Sequence, residues 1–371
     1  MSSQLPVREI LEYTDHACRV PPFQQSTVID LPRMPDIHRI LIIKWGGMGD
    51  VVVSTAIMQD IREAFPDAEL HLNAMPPWHT LFSADPRFSK VWHVDLRKRE
   101  RGLRGYLRWC RQVIQHRYDL IIDLQTNDKS RLLLGMLKLL GKAPRYLLGN
   151  HPVFPYTIRQ DKTLATSHSL HIMHQTLAAG GISAKANCPV LYAMAEHEQA
   201  AKRLMDQHGL LQRPFAVLLC GSHAAGISKR WGAAHYAELA QALHTQGMQH
   251  VVLIGGADDA EECRTVAAAC PELAINLCGQ TELLALPTLF SHARLIVGND
   301  TGTAHLAAST MTPMLVICGP TDPRRVKPIG PQVRAIQAAL PCVNCYQKTC
   351  SHHSCMRGLS IGKVLPFLNQ L

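Results

Sequence analysis

The chain has 371 residues, 47% hydrophobic and 18% charged, a globular composition long enough for two domains that each bury a core. No apolar run reaches the roughly 18 residues of a membrane span; the longest, Leu132 to Leu140, is short and carries Lys138. The formal charge of +9 favours an anionic partner such as a nucleotide, an acidic lipid or a nucleic acid. The polar stretch Met1 to Asp36 lacks the basic-then-apolar pattern of an export signal, so a cytoplasmic protein is expected.

After 36 irregular residues, the β-branched run Arg39–Ile43 reads as a strand. A glycine-rich turn, Lys44-Trp45-Gly46-Gly47-Met48-Gly49-Asp50, leads into a helix over Val51–Phe65. A dinucleotide fingerprint would need a third glycine at position 52, where Val52 stands. What the turn does place is the carboxylate of Asp50 at a helix N-terminus, suited to an N-cap or to a general base. Strands follow at Glu69–Asn73, Val91–Val94 and Asp119–Asp123 with helical patterns between them, the alternation of a parallel sheet. The loop after the last of these, Asp123 to Lys129, lies at a strand's carboxyl end, where ligand groups gather; Asp123, Gln125 and Lys129 are its candidates.

Arg97, Arg101, Arg104, Arg108 and Arg111 are spaced four, three, four and three apart, one stripe of a helix expected to begin near Leu103. Leu103, Tyr106, Leu107, Cys110, Val113 and Ile114 run beside it, an apolar stripe expected to pack on the sheet. The arginines suit either a solvated face or an acidic membrane surface. A domain boundary is expected near Asn187, and the second sheet opens at Phe215–Leu219. Cys220-Gly221-Ser222 then leads to Ser228-Lys229-Arg230-Trp231, whose basic pair suits a diphosphate or open solvent. The strand His250–Ile254 ends at Gly255-Gly256-Ala257-Asp258-Asp259, acids able to hold ribose hydroxyls, and Ala274–Leu277 ends at Gly279-Gln280-Thr281-Glu282. Arg294–Val297, the turn Gly298–Thr303 and an Ala/Leu-rich helix make a strand–turn–helix that aims N–H groups, Thr301, Thr303 and His305 at one point, a place for phosphate. Met314–Cys318 runs into the rigid turn Gly319–Pro323.

Of twelve cysteines, eight are scattered, with Cys110, Cys220, Cys278 and Cys318 in apolar segments, and read as buried free thiols. Cys342, Cys345, Cys350 and Cys355, with His352 and His353, have the spacing of a structural zinc site, of reduced thiols or of a disulfide. The basic residues are not interleaved with aromatics in any nucleic-acid-binding pattern, so no nucleic acid is expected.

Gly49-Asp50, Asp119–Gln125, Ser228–Trp231, Gly255-Gly256, Gly298–His305 and Gly319–Pro323, in this order and on strand ends, resemble glycosyltransferase family 9, the ADP-heptose:lipopolysaccharide heptosyltransferases. The resemblance runs from about Arg39 to the C-terminus. It implies an α/β protein of GT-B architecture, two Rossmann-like doubly wound parallel-sheet domains facing a cleft. The expected division is an extension over 1–36, an acceptor domain over 37–187, a nucleotide-sugar domain with the Cys/His segment over 188–355, and a helix over 356–371 packing back toward the first domain. Asp50 is implied as the base and Lys229 as the donor-phosphate contact. Asp300, Thr301, Gly302, Thr303 and His305 form the diphosphate–sugar loop, with Gln280 and Thr281 along the adenine. The donor implied is ADP-heptose and the acceptor a phosphorylated glycolipid on the inner face of the cytoplasmic membrane. No cofactor and no catalytic metal are expected.

Three departures stand out. Gly46 replaces a Ser of many members, Ala224 and Ala225 remove hydroxyls for which Ser222 or Ser228 are substitutes, and Asp128 makes the acceptor loop more acidic. Two rivals remain at this level, a sugar-nucleotide 2-epimerase of the same fold and a nucleotide-binding scaffold at the membrane.

Overall fold

The computed structural model describes residues 4–14, 29–93, 95–96, 100–125, 128–159 and 168–371. Val94, Arg97, Thr126 and Asn127 of the expectations above lie outside them. The chain forms two compact units that part between Tyr192 and Ala193.

The first strand, β1 (Ile10–Tyr13), belongs to the C-terminal unit, where it was expected to be irregular. The N-terminal unit holds β2 (Arg39–Lys44), β3 (Glu69–Ala74), β4 (Lys90–Trp92), β5 (Leu120–Asp123), β6 (Tyr146–Gly149) and β7 (Ile158–Arg159), with α1 (Met48–Ala64), α2 (Leu103–His116), α3 (Asp128–Leu139) and α4 (Ser169–Ala179). All six strands are parallel, in the order β4-β3-β2-β5-β6-β7. The β2 run Arg-Ile-Leu-Ile-Ile-Lys is apolar without alternation because helices cover both faces of a parallel sheet. The crossover β2-α1-β3 runs one way across the sheet, whereas β4-α2-β5 and β5-α3-β6 run the other. Right-handed connections therefore put α2 and α3 together on the face opposite α1.

Under α2 and α3, Trp45, Trp92 and Trp109 gather round one buried amide. Asn73 Oδ1 accepts the indole N–H of Trp45 at 2.9 Å and of Trp109 at 2.7 Å, and its Nδ2 donates to the Trp92 carbonyl at 3.1 Å. The boundary falls five residues later than Asn187 because the intervening chain is tied to this unit. Buried Arg87 pairs with Asp85 at 2.6 Å and donates to the carbonyls of Thr55 and Val190, while Val190 N–H donates to Thr55 Oγ1 at 3.0 Å.

The C-terminal unit contains α5 (Ala195–Gln207), β8 (Phe215–Leu219), α6 (Ala233–Thr245), β9 (His250–Leu253), α7 (Ala260–Ala269), β10 (Ala274–Asn276), α8 (Leu286–His292) and β11 (Leu295–Asn299). It continues with α9 (Gly302–Ala307), β12 (Met314–Cys318), α10 (Pro323–Val326), β13 (Val333–Ala338), α11 (Ser354–Arg357) and α12 (Ile361–Leu368). Its sheet order is β1-β13-β12-β11-β8-β9-β10, parallel except for β1, which runs antiparallel along β13. The tail helix α12, expected to reach back toward the other domain, packs on α6. It places Val364 and Leu368 in the core of its own unit.

Leaving β1 aside, both sheets have the strand order of a Rossmann fold. Each reverses direction at one switch point, between β2 and β5 in the first and between β8 and β11 in the second. No described helix is long and apolar enough to cross a membrane.

Candidate functional site

At the switch point of the N-terminal unit, β2 ends in Lys44, and Trp45-Gly46-Gly47 turns the chain into α1. Gly47 is the N-cap, and its carbonyl accepts the Val51 N–H at 3.0 Å, so Asp50 is the third residue of the helix and not its cap. The Asp50 side chain is exposed and makes no hydrogen bond among the described residues. A Cβ on Gly46 would lie 2.5 Å from Asp50 Cβ. Any side chain at this position would therefore crowd Asp50, and Gly46 leaves the carboxylate room.

Beneath Asp50 lies a group that the sequence reading passed over. Lys44 is buried, and its Nζ donates to the Leu124 carbonyl at 3.2 Å. Burial pulls its pKa down against the opposing pull of Asp50 and Asp123. Asp123, expected to meet an acceptor, is wholly buried and faces inward. One oxygen accepts from Tyr156 Oη at 2.7 Å and the other from Gln125 N–H at 2.9 Å. Gln125 Oε1 in turn accepts the Trp45 N–H at 2.8 Å, so Asp123 and Gln125 brace the glycine turn from below. Strand alternation cannot distinguish such a carboxylate from a ligand group, because both sit at the carboxyl end of β5. Lys129 is exposed on the first turn of α3, and Arg104, Arg108 and Arg111 are exposed along α2.

Burial raises the Asp123 pKa from 3.8 to about 6, with Tyr156, Ser130, Gln125 N–H and Lys44 pulling the other way. The folded state thus holds this proton more tightly than the unfolded chain. The stability it contributes is fully present below about pH 4 and is lost as the pH rises through 6. A rise of that size corresponds to at most about 3 kcal/mol. Asp123→Asn is expected to remove that loss, so the variant gains on the wild type as denaturation is followed from pH 4 to 7. A constant gap across that range would show that Asp123 does not titrate there.

The switch point of the C-terminal unit gathers Lys229, Asp300, Thr321 and His305. Lys229, the last residue of a short 3-10 turn, places Nζ 2.7 Å from Asp300 Oδ2. Thr321 Oγ1 donates to the same oxygen at 2.9 Å, and His305 Nε2 lies 3.9 Å from Oδ1. Asp300 is buried, so Lys229 and Thr321 offset its charge while the flank of Lys229 stays open. Strand β11 runs two residues further than expected. Its last residue, Asn299, was not singled out: its Nδ2 donates to the carbonyls of Cys220 (2.7 Å) and Gly221 (3.0 Å), and its Oδ1 accepts from Trp231 N–H and Tyr236 Oη. This amide locks the β8 loop to the β11 loop across the switch point. Thr301 caps α9 by accepting the Thr303 N–H at 3.1 Å, which removes that N–H from the donors expected there and leaves those of Gly302 and the Thr301 hydroxyl.

Several residues expected to meet the donor serve the loop itself. Arg230 points inward, bonding the Ser222 and Asp258 carbonyls with Asp259 and Glu262 nearby, so it does not join Lys229 at a diphosphate. The hydroxyls of Ser222 and Ser228 donate to the carbonyls of Gly226 and Gln347, so neither replaces those missing at Ala224 and Ala225. Asp258 is exposed but accepts the Ala224 N–H at 3.0 Å. Gln280, Thr281 and Glu282 line a pocket of about 230 Å³ with Ala200, Arg203 and Leu204 of α5.

The cysteine-rich segment has a visible structural task. His353 Nε2 bonds the Ser228 carbonyl at 2.6 Å, and Tyr346 N–H donates to Pro320 at 2.8 Å, bracing the loops that carry Lys229 and Thr321. Burial and the neighbouring Cys342, Cys345 and Cys350 push the Cys355 thiol up to about 11. As placed, no three His, Cys, Asp or Glu side chains among the described residues form a metal cage.

A family model described as glycosyltransferase family 9 (heptosyltransferase) matches residues 106–356. The lipooligosaccharide heptosyltransferase 2 of Haemophilus influenzae is 27% identical over 357 residues, covering 90% of this chain and 99% of that protein. The lipopolysaccharide heptosyltransferase 2 of Escherichia coli K12 is 27% identical over 321 residues, covering 81% and 88%. The family 9 glycosyltransferase structure from Veillonella parvula superposes with a TM-score of 0.71 at 21% identity, covering 83% and 87%. An E. coli structure described as ADP-heptose LPS heptosyltransferase II superposes with a TM-score of 0.67 at 22% identity, covering 90% and 98%. These superpositions establish the fold as that of the GT-B heptosyltransferases.

Proposed function

Because the chain belongs to glycosyltransferase family 9, the heptosyltransferases, we propose that it is an inverting enzyme moving a heptose from ADP-heptose to a lipopolysaccharide-core acceptor. The observation that carries this is Asp50, an exposed carboxylate at the β2–β5 switch point of a chain whose relatives along most of its length are heptosyltransferases.

Asp50 takes the proton of an acceptor hydroxyl as its oxygen bonds to the anomeric carbon. The bond from that carbon to the diphosphate oxygen breaks on the opposite side, and ADP leaves with the electron pair. Negative charge grows on the diphosphate, where Lys229, the Gly302 N–H and the hydroxyls of Thr301 and Thr303 stabilise it, and His305 and Asp300 orient the loop. Gln280 and Thr281 line the adenine, and Asp258 reaches the ribose through its free oxygen. Gln125 and Lys129 border the acceptor, while Asp123 supports the turn from inside. No cofactor is needed for these steps.

The acceptor is a phosphorylated glycolipid, and the enzyme works as a peripheral protein on the cytoplasmic face of the membrane. In support, α2 contains no acidic residue. Arg108 pairs with Glu100, but Arg104 and Arg111 have no carboxylate partner among the described residues. Unbalanced positive charge along a helix is costly unless an anion meets it.

The test is a nucleotide-sugar panel read by melting temperature and by product. ADP-heptose, and not UDP-sugars, is expected to stabilise the protein, with heptose appearing on the acceptor only when acceptor is present. Epimerised nucleotide sugar without acceptor would make it a 2-epimerase, and binding without turnover would make it a scaffold.

A further inference from the structure

The face of the N-terminal unit formed by α2 and α3 departs from the expected pattern. Leu103 and Leu107, read as part of the stripe packing on the sheet, are 66% and 55% exposed, while Trp109, Cys110 and Val113 do the packing. Gly105 lies on the buried side, where a Cβ would meet the Glu100 carbonyl; with Gly105, Trp109, Cys110 and Val113 inward, the two leucines face out. They are one turn apart and form a ridge on one edge of the helix, with Arg104, Arg108 and Arg111 on the adjoining strip.

On α3, Leu132 is 55% and Leu139 80% exposed, two turns apart on one face, and Leu140 follows at the helix end. Helices α2 and α3 pack against each other, and the half-buried Ile114 and Met136 join the core beneath them. Phe154, also exposed, covers Gly135 on α3, with Lys138 Nζ 5.6 Å from its ring. Lys129 and Lys142 are exposed at the two ends of α3. One sheet face thus presents leucine ridges and a phenylalanine among lysines and arginines.

A soluble monomer leaves so many large apolar groups together only where something covers them. A second copy docking through the same face would bring arginine strip against arginine strip, a like-charge contact in a two-fold interface. A layer that is anionic at its surface and apolar below satisfies both sets of side chains. We infer that the α2–α3 face seats on an anionic lipid bilayer, with Leu103, Leu107, Leu132 and Leu139 below the phosphate plane and the arginines at it. Membrane binding then has an apolar component, in addition to the electrostatic one. The inference rests on the proposed function for what the enzyme does there, though its binding does not depend on that reading.

The experiment measures sedimentation with phosphatidylglycerol–phosphatidylethanolamine vesicles at 0.1 M and 1 M NaCl. At the higher salt, screening shortens to about 3 Å and removes most of the arginine contribution. The wild type is expected to keep part of its binding at 1 M salt. The variant with all four leucines changed to Gln is expected to lose about tenfold or more at both salts. Its turnover on a delipidated, water-soluble acceptor should match the wild type, which also certifies the fold. Independently, indole emission of Leu139→Trp should shift to the blue on vesicles and be quenched by acyl-brominated lipid.

Binding abolished by salt and indifferent to the leucines would overturn the inference, as would a wild-type dimer that the leucine changes split, or an unquenched indole at 139. If the wild type transfers nothing from ADP-heptose to the delipidated acceptor, the proposed function fails. The vesicle measurements still decide the docking surface.

Discussion

Asp50→Asn is expected to lower turnover by about a hundredfold or more while melting temperature and ADP affinity stay at wild-type values. The separation follows from where the side chain sits. Asp50 is exposed, takes no hydrogen bond among the described residues, and leaves the capping of α1 to Gly47. Its structural contribution is confined to a first-turn carboxylate against the helix dipole, about 0.3–1 kcal/mol, and the amide retains its shape. What the amide lacks is the ability to take a proton. The variant also leaves Lys44 buried with Asp123 as its remaining carboxylate neighbour, so the pH profile of the residual activity is worth recording beside the rate. Wild-type turnover would reduce Asp50 to a dipole partner and remove the base from the mechanism.

Lys229→Ala is expected to weaken ADP-sugar binding and to cut kcat/KM by about a hundredfold to a thousandfold, since in the proposed mechanism its charge acts on the diphosphate before and during bond breaking. This variant carries a second effect. Asp300 is buried, and removing Lys229 leaves Thr321 as its only hydrogen-bond donor among the described residues, with His305 3.9 Å away. An uncompensated buried carboxylate costs up to about 3–5 kcal/mol, less here because Lys229 is partly open to solvent. The double variant Lys229→Ala/Asp300→Asn separates the two. It should recover most of the melting temperature and none of the donor binding. If activity returned together with stability, Lys229 would be a structural partner of Asp300 and the donor-phosphate role would fall.

The residue pattern carries the identity and order of most elements. The short continuous apolar runs at Arg39–Lys44, Phe215–Leu219 and Met314–Cys318, each followed by a Gly-bearing turn, have the pattern of strands buried on both faces of a parallel sheet. The glycine turn before Asp50 and the Asp-Thr pair before α9 mark strand-to-helix joints, since Gly, Asp and Thr favour turns and helix caps. Strands β1, β6 and β7 go unmarked, although β4 and β10 are as short; what makes them strands is pairing with β13, β5 and β6, which the local pattern does not record. The strand β13 escaped as well, since Arg334 and Gln337 interrupt its apolar pattern. Gln337 is nonetheless buried, donating to the carbonyls of Gly319 and Thr321.

Local pattern thus carries the two-sheet α/β class, the strand ends where Gly, Asp and Thr cluster, and the placement of Asp50 in the first turn of the helix after β2 and of Lys229 in the segment after β8. These depend on local periodicity and on residues that act through their own backbone. The tertiary structure alone decided which polar groups face out. Asp123, Arg230, Ser222 and Ser228 look like ligand groups in the chain, yet each turns inward to satisfy a buried partner. Leu103 and Leu107 look like core, yet face solvent because Gly105, Trp109, Cys110 and Val113 take the buried side of α2. Orientation depends on contacts between segments far apart in the chain, such as Asn299 with Cys220 or His353 with Ser228, and spacing along the sequence holds no record of them.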